Sequence, residues 1–224
     1  VYSVTLNSLT NSSITVAVKI LPITSINSDK NNKNEIKIAS TLGKYPLFLP
    51  ILGASTCNHV IWNPTSKFYD RVNKYFMDKS NIKADLIISP LRHCDLTNYG
   101  HFDDLKGWIY IIIQVMEAID QMQTLGFIHG DLHHGNILIV SDTEAPQIEV
   151  HDFGTSYKFD TKNPTMDDRL DDISKFLLSM GTLHKLNKRV RHLLDNEIGD
   201  IIDDYEEKND TTESVLKSIF LMLK

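Results

Sequence analysis

The stretch FIHGDLHHGNILI, residues 127–139, determines how the rest of the chain is interpreted. Between His129 and Asn136 it holds three histidines, one aspartate and one asparagine. Alternate residues of a strand share one face, so His129, Asp131 and His133 could together bind zinc or iron. The same residue types also suit a loop that transfers phosphate, or a polar turn without chemistry. The surrounding sequence has to distinguish these three interpretations.

The elements on either side of this stretch are a long helix and a short hairpin. Apolar residues recur at helical spacing over residues 105–125, and Gly126 is placed to end that helix. NILIV and QIEVHDFG are two short strands that can pair across the polar segment between them. Residues from 167 onward carry apolar stripes of helical spacing, so the last two thirds of the chain are predicted to be mostly helical.

The first third of the chain is rich in β-branched residues separated by polar turns, which predicts strands. The predicted strands cover residues 1–6, 14–21, 48–54 and 84–89, and the first two form an antiparallel hairpin. An Asn- and Lys-rich loop over residues 27–34 precedes a helix over residues 35–42, and an insertion with some helix of its own occupies residues 57–83. The sequence thus predicts an α+β chain of two lobes, the first rich in strands and the second helical.

Composition narrows the class of protein. The net charge of −6 disfavours a nucleic-acid partner. The most apolar run has nine residues, 108–116, whereas a membrane span needs about 20. Cys57 and Cys94 lack CxxC spacing and are expected to be reduced thiols. We expect a cytoplasmic protein with no nucleic-acid or membrane partner. The Asn- and Lys-rich loops suggest the AT-rich genome of a large DNA virus, which would mean the host cytoplasm or the virion.

Four motifs follow one another in a recognisable order. VAVK ends at Lys19, and Glu35 comes sixteen residues later on a predicted helix. The central stretch reads H-G-D-L-x-x-x-N, and a DFG begins sixteen residues after Asn136. Each motif alone is weak evidence, but the ordered set resembles the protein-kinase-like superfamily. The resemblance implies a β-rich N-lobe over residues 1–90 and a reduced helical C-lobe over residues 91–224.

The resemblance implies ATP as cosubstrate, with Mg²⁺, or alternatively Mn²⁺, as the metal. Lys19 would lie beside the α- and β-phosphates, with Glu35 as its anionic partner. Asp131 would orient the acceptor hydroxyl and accept its proton. Asn136 and Asp152 offer the oxygen ligands that a hard cation prefers.

The resemblance also implies a pocket for the nucleoside. Val1 would take the place of the valine that follows a kinase Gly-rich loop, so that loop is expected just before the chain or is missing. The implied pocket has Val1 and Ala17 above adenine, Leu138 below it, Ile88 as gatekeeper, the Ser89 carbonyl and the Leu91 N–H at the adenine edge, and Asp95 near the ribose.

Several positions depart from regulated protein kinases. Gly130 replaces the arginine that pairs with a phosphorylated activation loop, and His133 replaces a lysine that touches the γ-phosphate. His133 could still donate to phosphate. The segment after the DFG is short and lacks A-P-E. These features are similar to RIO-type, ubiquinone-biosynthesis, aminoglycoside and choline kinases. Asp172, with Asp171 close behind, is predicted to hold the backbone of the catalytic loop. The alternative is an acidic helix start favoured by the helix dipole.

The sequence therefore predicts a phosphotransferase that moves the γ-phosphoryl of ATP to a hydroxyl. The leading acceptor is serine or threonine of a protein, which would make the chain an atypical serine/threonine kinase. A small-molecule alcohol is the first alternative. A pseudokinase that binds partners as a decoy is the second.

Overall fold

The computed structural model describes residues 1–7, 13–60, 82–100, 104–141, 143, 145–159, 161, 166–183, 186–208 and 212–223. The chain divides into two compact units, one formed by Val1–Lys37 with Ile51–Leu91 and the other by Ile38–Pro50 with Arg92–Lys224. Helices and antiparallel sheets occur together, which confirms the predicted α+β class. None of the helices that the described residues form combines the length and apolar character needed to cross a bilayer.

The first unit contains a four-stranded antiparallel sheet in the order β1-β2-β4-β3. Its strands are β1 (Tyr2–Asn7), β2 (Ser13–Pro22), β3 (Gly53–Val60) and β4 (Ile82–Pro90). The predicted hairpin of the first two strands is confirmed. The bounds predicted for two strands are wrong: cross-strand pairing extends β3 to Val60 and begins β4 at Ile82. The predicted insertion therefore loses residues 57–60 and 82–83 to the sheet, and its residues 61–81 lie outside the described ranges.

Helix α1 (Ile26–Leu42) is far longer than the sequence predicted, and the loop predicted over residues 27–34 is wrong. A reciprocal cap starts the helix: Ser28 N–H donates to Ser25 Oγ at 3.1 Å, and Ser25 N–H donates to Ser28 Oγ at 2.9 Å. Such a cap satisfies backbone groups that the first turn leaves unpaired. Two polar side chains, Asn32 and Glu35, then face inward and are buried. Capping and tertiary contacts thus overcome the weak helix propensity of the asparagines.

Residues 38–50 group with the second unit, although the predicted first domain included them. The Leu49 N–H donates to the Val150 carbonyl at 3.0 Å, and the Val150 N–H donates to the Leu47 carbonyl at 2.8 Å. Phe48 makes only a single bridge, and its buried side chain lies 6.2 Å, between ring centroids, from Phe153. The strand predicted over residues 48–54 is therefore wrong before Gly53, because the apolar residues there fill the core of the second unit.

The second unit is built around helix α2 (Leu105–Thr124), as predicted, with Gly126 in a left-handed conformation just after it at φ 77°. The helix face that enters the core comprises Trp108, Ile111, Ile112, Val115, Met116, Ile119 and Met122. The predicted hairpin is confirmed as β7 (Ile137–Ser141) and β8 (Gln147–Val150), which pair antiparallel. The remaining elements are β5 (Cys94–Asp95), β6 (Phe127–Ile128), β9 (Tyr157–Lys158), α3 (Met166–Gly181), α4 (Lys188–His192), a π-helical turn at Leu193–Ile198, α5 (Gly199–Lys208) and α6 (Thr212–Leu223).

A buried carboxylate ties α1 to the sheet of the first unit. Asp85 on β4 is only 2% exposed. Its Oδ1 accepts from Thr56 Oγ1 at 2.6 Å, and its Oδ2 accepts from Asn32 Nδ2 at 3.3 Å. A buried charge is tolerated only when donors surround it, so this network holds the helix that carries Glu35.

We predict that Asp85→Ala lowers the free energy of unfolding by about 2–3 kcal/mol, because it leaves two donors without their acceptor. Asp29→Ala is the control, since the Asp29 carboxylate forms an exposed i,i+4 pair with Lys33, and its loss should cost less than about 0.5 kcal/mol. Urea denaturation followed by circular dichroism measures both values. Equal losses in the two variants would contradict the role assigned to Asp85.

Candidate functional site

The first group of candidate site residues lies in the first unit. Lys19 Nζ on β2 donates to Glu35 Oε1 on α1 at 2.6 Å. The Lys19 side chain is 24% exposed and that of Glu35 is 7% exposed. The predicted pairing is therefore confirmed. Partial burial makes this pair stronger than a surface ion pair and holds the lysine ammonium in a fixed place with part of it exposed.

The register of β2 against β4 decides which side chains share a face with Lys19. Ala17 lies opposite Ser89, and Lys19 lies opposite Ile87. Directly opposed residues of an antiparallel pair point to the same face. Ile88 lies opposite Val18 and so points to the other face. The side chain predicted as gatekeeper, Ile88, is thus not on the face of Lys19. Ile87, which was not predicted, lies on that face.

Two other predicted nucleoside contacts of this unit are exposed. Val1 is 76% exposed directly before β1, and Leu91 is 48% exposed directly after β4. Neither position contradicts a contact with a base, and their roles stay predictions.

The second group centres on the loop that follows β6. One carboxylate, that of Asp172 on α3, accepts from two consecutive backbone donors: Oδ2 from the His129 N–H at 2.8 Å and Oδ1 from the Gly130 N–H at 2.9 Å. The prediction that Asp172 holds the loop backbone is confirmed. Burial raises the pKa of Asp172, while the hydrogen bonds from the His129 and Gly130 N–H groups oppose that shift.

The rest of the loop backbone before Asp131 is also held by side chains. The His129 carbonyl accepts from Thr155 Oγ1 at 3.1 Å and from Ser156 Oγ at 3.0 Å. The His129 ring is buried, with Nε2 3.0 Å from the His151 carbonyl and Nδ1 accepting from the Asp131 N–H at 3.4 Å. Burial lowers the pKa of His129, so the ring is neutral and keeps its proton on Nε2.

The backbone at position 130, directly before Asp131, requires glycine. Its φ is 79°, a left-handed conformation that L residues other than glycine rarely adopt. A Cβ atom there would lie 2.8 Å from the Thr155 backbone oxygen. The arginine that regulated kinases carry at the matching position would therefore not fit this backbone.

The candidate base, Asp131, and a candidate metal ligand, Asn136, come next in the loop. The side chain of Asp131 is 56% exposed, and its backbone carbonyl accepts from Asn136 Nδ2 at 3.0 Å. That donation leaves the Asn136 Oδ1 oxygen as the atom able to bind a cation. The Asn136 carbonyl accepts from the His151 N–H at 3.0 Å, which places Asn136 next to the residue before Asp152.

Asp152 itself has a left-handed backbone at φ 65° and ψ 70°, and it is the one described residue other than glycine with a positive φ. Such strain costs of order 1–3 kcal/mol and is typical of functional positions. An asparagine oxygen and a carboxylate form an all-oxygen donor set, which fits Mg²⁺ or Mn²⁺.

The other two histidines of the loop have distinct surroundings. His133 Nδ1 accepts from the Gly135 N–H at 3.0 Å, so Nε2, 3.8 Å from Asp131 Oδ2, is the ring nitrogen that carries a proton. His134 joins the loop to neighbouring elements: its ring lies within hydrogen-bond distance of the Thr97 and Thr182 hydroxyls, and its N–H donates to the Ser179 hydroxyl. Burial, followed by the nearby His133, lowers the pKa of His134.

These contacts disfavour the metal interpretation of the histidines. Both ring nitrogens of His129 and of His134 lie within hydrogen-bond distance of protein atoms. Across the part of the chain that the structure describes, no group of three or more His, Cys, Asp and Glu side chains is placed to hold a metal ion. A two-ligand oxygen site for magnesium is a different arrangement and is not affected.

Two more predicted residues lie side by side in the second unit. Asp95 on β5 pairs with Leu138 on β7. Asp95 Oδ1 accepts from the Asn98 N–H at 3.0 Å and so caps the short helix at Leu96–Asn98. The roles of both residues in nucleoside binding stay predictions, but the structure brings them together.

Lys175 was not predicted from the sequence, yet its Nζ donates to the Gly130 carbonyl at 2.6 Å and to Asp171 Oδ2 at 2.8 Å. A lysine four residues after an aspartate on a helix normally indicates a surface ion pair. No signal in the sequence connects it to a loop 45 residues away.

The family model of the ABC1 atypical kinase-like domain matches residues 110–196. This segment contains Asp131, Asn136, Asp152 and Asp172 but not Lys19 or Glu35. The match supports an atypical protein-kinase-like domain. A search of curated proteins found no match.

We predict that Gly130→Ala lowers the free energy of unfolding by about 1–3 kcal/mol, because the left-handed backbone and the Thr155 oxygen both oppose a Cβ atom. Gly181→Ala is the matched control, since Gly181 ends α3 and a Cβ atom there would meet nothing within 4 Å. Thermal unfolding of the two variants measures the difference. A Gly130 variant as stable as the Gly181 variant would contradict the strained loop geometry.

We predict that stability falls as the pH drops below 6.5, the ordinary pKa of histidine. The unfolded chain then binds a proton that buried His129, with its lowered pKa, does not bind in the folded state. One such proton costs up to about 1.4 kcal/mol per pH unit. Denaturation between pH 7.5 and 5.5 should show a shallower slope for His129→Gln than for wild type. The same substitution at exposed His93 is the control, and a wild-type slope in both variants would refute the assignment.

Proposed function

We propose that the chain is an atypical kinase-like phosphotransferase that uses ATP with Mg²⁺, or Mn²⁺, and moves the γ-phosphoryl to a hydroxyl. The observation that carries this proposal is the loop backbone held by buried Asp172, on which Asp131 and Asn136 lie five residues apart. The Lys19–Glu35 ion pair supports it independently, because it lies outside the family match.

Each residue has a definite task in this reaction. Glu35 fixes the Lys19 ammonium, which binds the α- and β-phosphates. Asp131 accepts a hydrogen bond from the acceptor hydroxyl and takes its proton as the oxygen bonds to the γ-phosphorus. The bond from that phosphorus to the β–γ bridging oxygen breaks, and ADP leaves. The His133 ring donates from Nε2 to a phosphate oxygen. Catalysis on this scheme is mostly positioning and charge neutralisation.

The metal would be held by Asn136 Oδ1 and the Asp152 carboxylate. The Asn136 amide nitrogen is engaged with the Asp131 carbonyl, so the amide oxygen is the available donor. Mg²⁺ held there would supply positive charge against the phosphate charge that builds up in the transition state. The nucleoside would contact Ala17, the backbone at Ser89 and Leu91, Asp95 and Leu138. Ile87 replaces Ile88 as the side chain expected next to Lys19.

The acceptor we favour is serine or threonine of a protein, and a small-molecule alcohol is the second candidate. The short segment between the DFG and α3 favours the second, because it offers little surface to dock a peptide. The glycine at position 130 favours an enzyme that is not switched by phosphorylation of that segment. We place this activity in the cytoplasm, where Cys57 and Cys94 would remain reduced.

We predict that wild-type protein transfers ³²P from [γ-³²P]ATP in the presence of Mg²⁺, and that Asp131→Asn lowers kcat by about 10²–10⁴-fold. Lys19→Met should raise KM for ATP and lower kcat, because it removes the cation at the phosphates. Lys33→Met on the same unit is the control and should behave as wild type, since Lys33 lies in an exposed pair. Generic protein acceptors and a panel of small alcohols, assayed in parallel, separate the two acceptor classes.

Wild-type and Asp131→Asn protein that show the same background incorporation would overturn the enzymatic proposal. If such protein still binds ATP, the pseudokinase alternative is favoured. Phosphate that appears only on peptide acceptors would remove the small-molecule alternative, and phosphate only on alcohols would remove the protein acceptor.

A further inference from the structure

One cation joins α3 to the loop immediately before the proposed base. Lys175 Nζ donates to the Gly130 carbonyl oxygen at 2.6 Å and to Asp171 Oδ2 at 2.8 Å. Its side chain is 41% exposed, and that of Asp171 is 28% exposed. The roles assigned so far to Asp131, Asn136, Asp152 and Lys19 do not involve this lysine.

A second ion pair in the chain shows what is unusual about Lys175. Lys33 and Asp29 are also four residues apart on a helix, with Nζ and Oδ2 2.6 Å apart. That pair connects two residues of α1 and is more exposed, at 65% for the Lys33 side chain. Lys175 has the same local geometry but adds a charge-assisted hydrogen bond to a backbone carbonyl 45 residues away.

The carbonyl that Lys175 binds belongs to the peptide group between Gly130 and Asp131. The N–H of the same peptide group donates to His129 Nδ1 at 3.4 Å. A peptide group is planar, so a hydrogen bond at its oxygen and another at its nitrogen fix the orientation of the whole plane. The N–H groups of His129 and Gly130, the two residues before Asp131, both donate to the Asp172 carboxylate.

The direction in which the Asp131 side chain leaves the backbone depends on this plane. We propose that Lys175 is a positioning residue for Asp131, holding the Gly130–Asp131 peptide so that the carboxylate meets the acceptor hydroxyl. Lys175 acts through the backbone and does not touch the reacting atoms. This inference rests on the proposed function and adds to it a residue that no motif assigns.

Gly130 makes this support necessary. Its left-handed backbone at φ 79° is accessible to glycine, but glycine also has the largest freedom to leave it. Asp172 holds the N–H side of Gly130, and Lys175 holds its carbonyl side. Removal of Lys175 therefore releases one side of the most adaptable residue in the loop, directly before the base.

The test compares Lys175→Met with the matched control Lys33→Met in the phosphoryl-transfer assay. We expect Lys175→Met to lower kcat by roughly 10- to 100-fold, since misplacement of a catalytic group by about 1 Å has effects of that size. KM for ATP should stay within about twofold of wild type, because nucleotide contacts are not altered. Lys175→Arg should recover most of kcat, because a guanidinium also donates to a carbonyl.

A kcat of Lys175→Met equal to that of Lys33→Met would overturn the positioning role and leave the proposed function intact. A parallel rise in KM for ATP would also overturn it, since it would indicate general damage to the site. If Lys175→Met does not fold, Lys175→Leu, which also lacks a donor, takes its place with the same expectations. Wild-type protein without any transfer would overturn the proposed function itself, and this inference with it.

Discussion

The candidate site depends on the hydrogen bonds between the Asp172 carboxylate and the backbone of the loop. This carboxylate is fully buried and accepts two backbone hydrogen bonds from consecutive residues, His129 and Gly130. A buried carboxylate without donors is costly, and two buried N–H groups without an acceptor are costly as well. The carboxylate and the two N–H groups therefore each need the other as a hydrogen-bond partner. From this point the loop continues to Asp131 and Asn136, and the Asn136 backbone in turn bonds to His151, next to Asp152.

The sequence predicted those parts of the structure that depend on local pattern or motif spacing. The long helix α2, the hairpin of β7 and β8 and the Lys19–Glu35 pair were all predicted. The failures have physical causes of another kind. Helix α1 depends on a serine cap and buried Asn32 and not on propensity. The face to which Ile88 points depends on the register of β2 against β4, which the sequence of one strand cannot indicate. The contact of Lys175 depends on a loop distant in sequence, which the sequence of one helix cannot indicate.

Two independent sets of residues favour the same chemistry. The family match covers residues 110–196, which include the loop, the DFG and Asp172. The Lys19–Glu35 pair lies outside that segment and was predicted from the resemblance that the ordered motifs carry. The loop also shows how it differs from regulated kinases, because Gly130 has a left-handed backbone with no room for a side chain. Asp172 accepts from the Gly130 N–H, and Lys175 donates to the Gly130 carbonyl, so both sides of this glycine are held directly before Asp131.

The most direct test of the central claim is the binding of ATP by titration calorimetry with and without Mg²⁺. Binding by wild-type protein should be tighter with Mg²⁺, and Asp152→Asn and Asn136→Ala should lose most of that gain. The exposed-pair variant Asp29→Asn should keep it. Magnesium-dependent binding that both site variants retain in full, or the absence of ATP binding by wild type, would contradict the assignment of this loop to phosphoryl transfer.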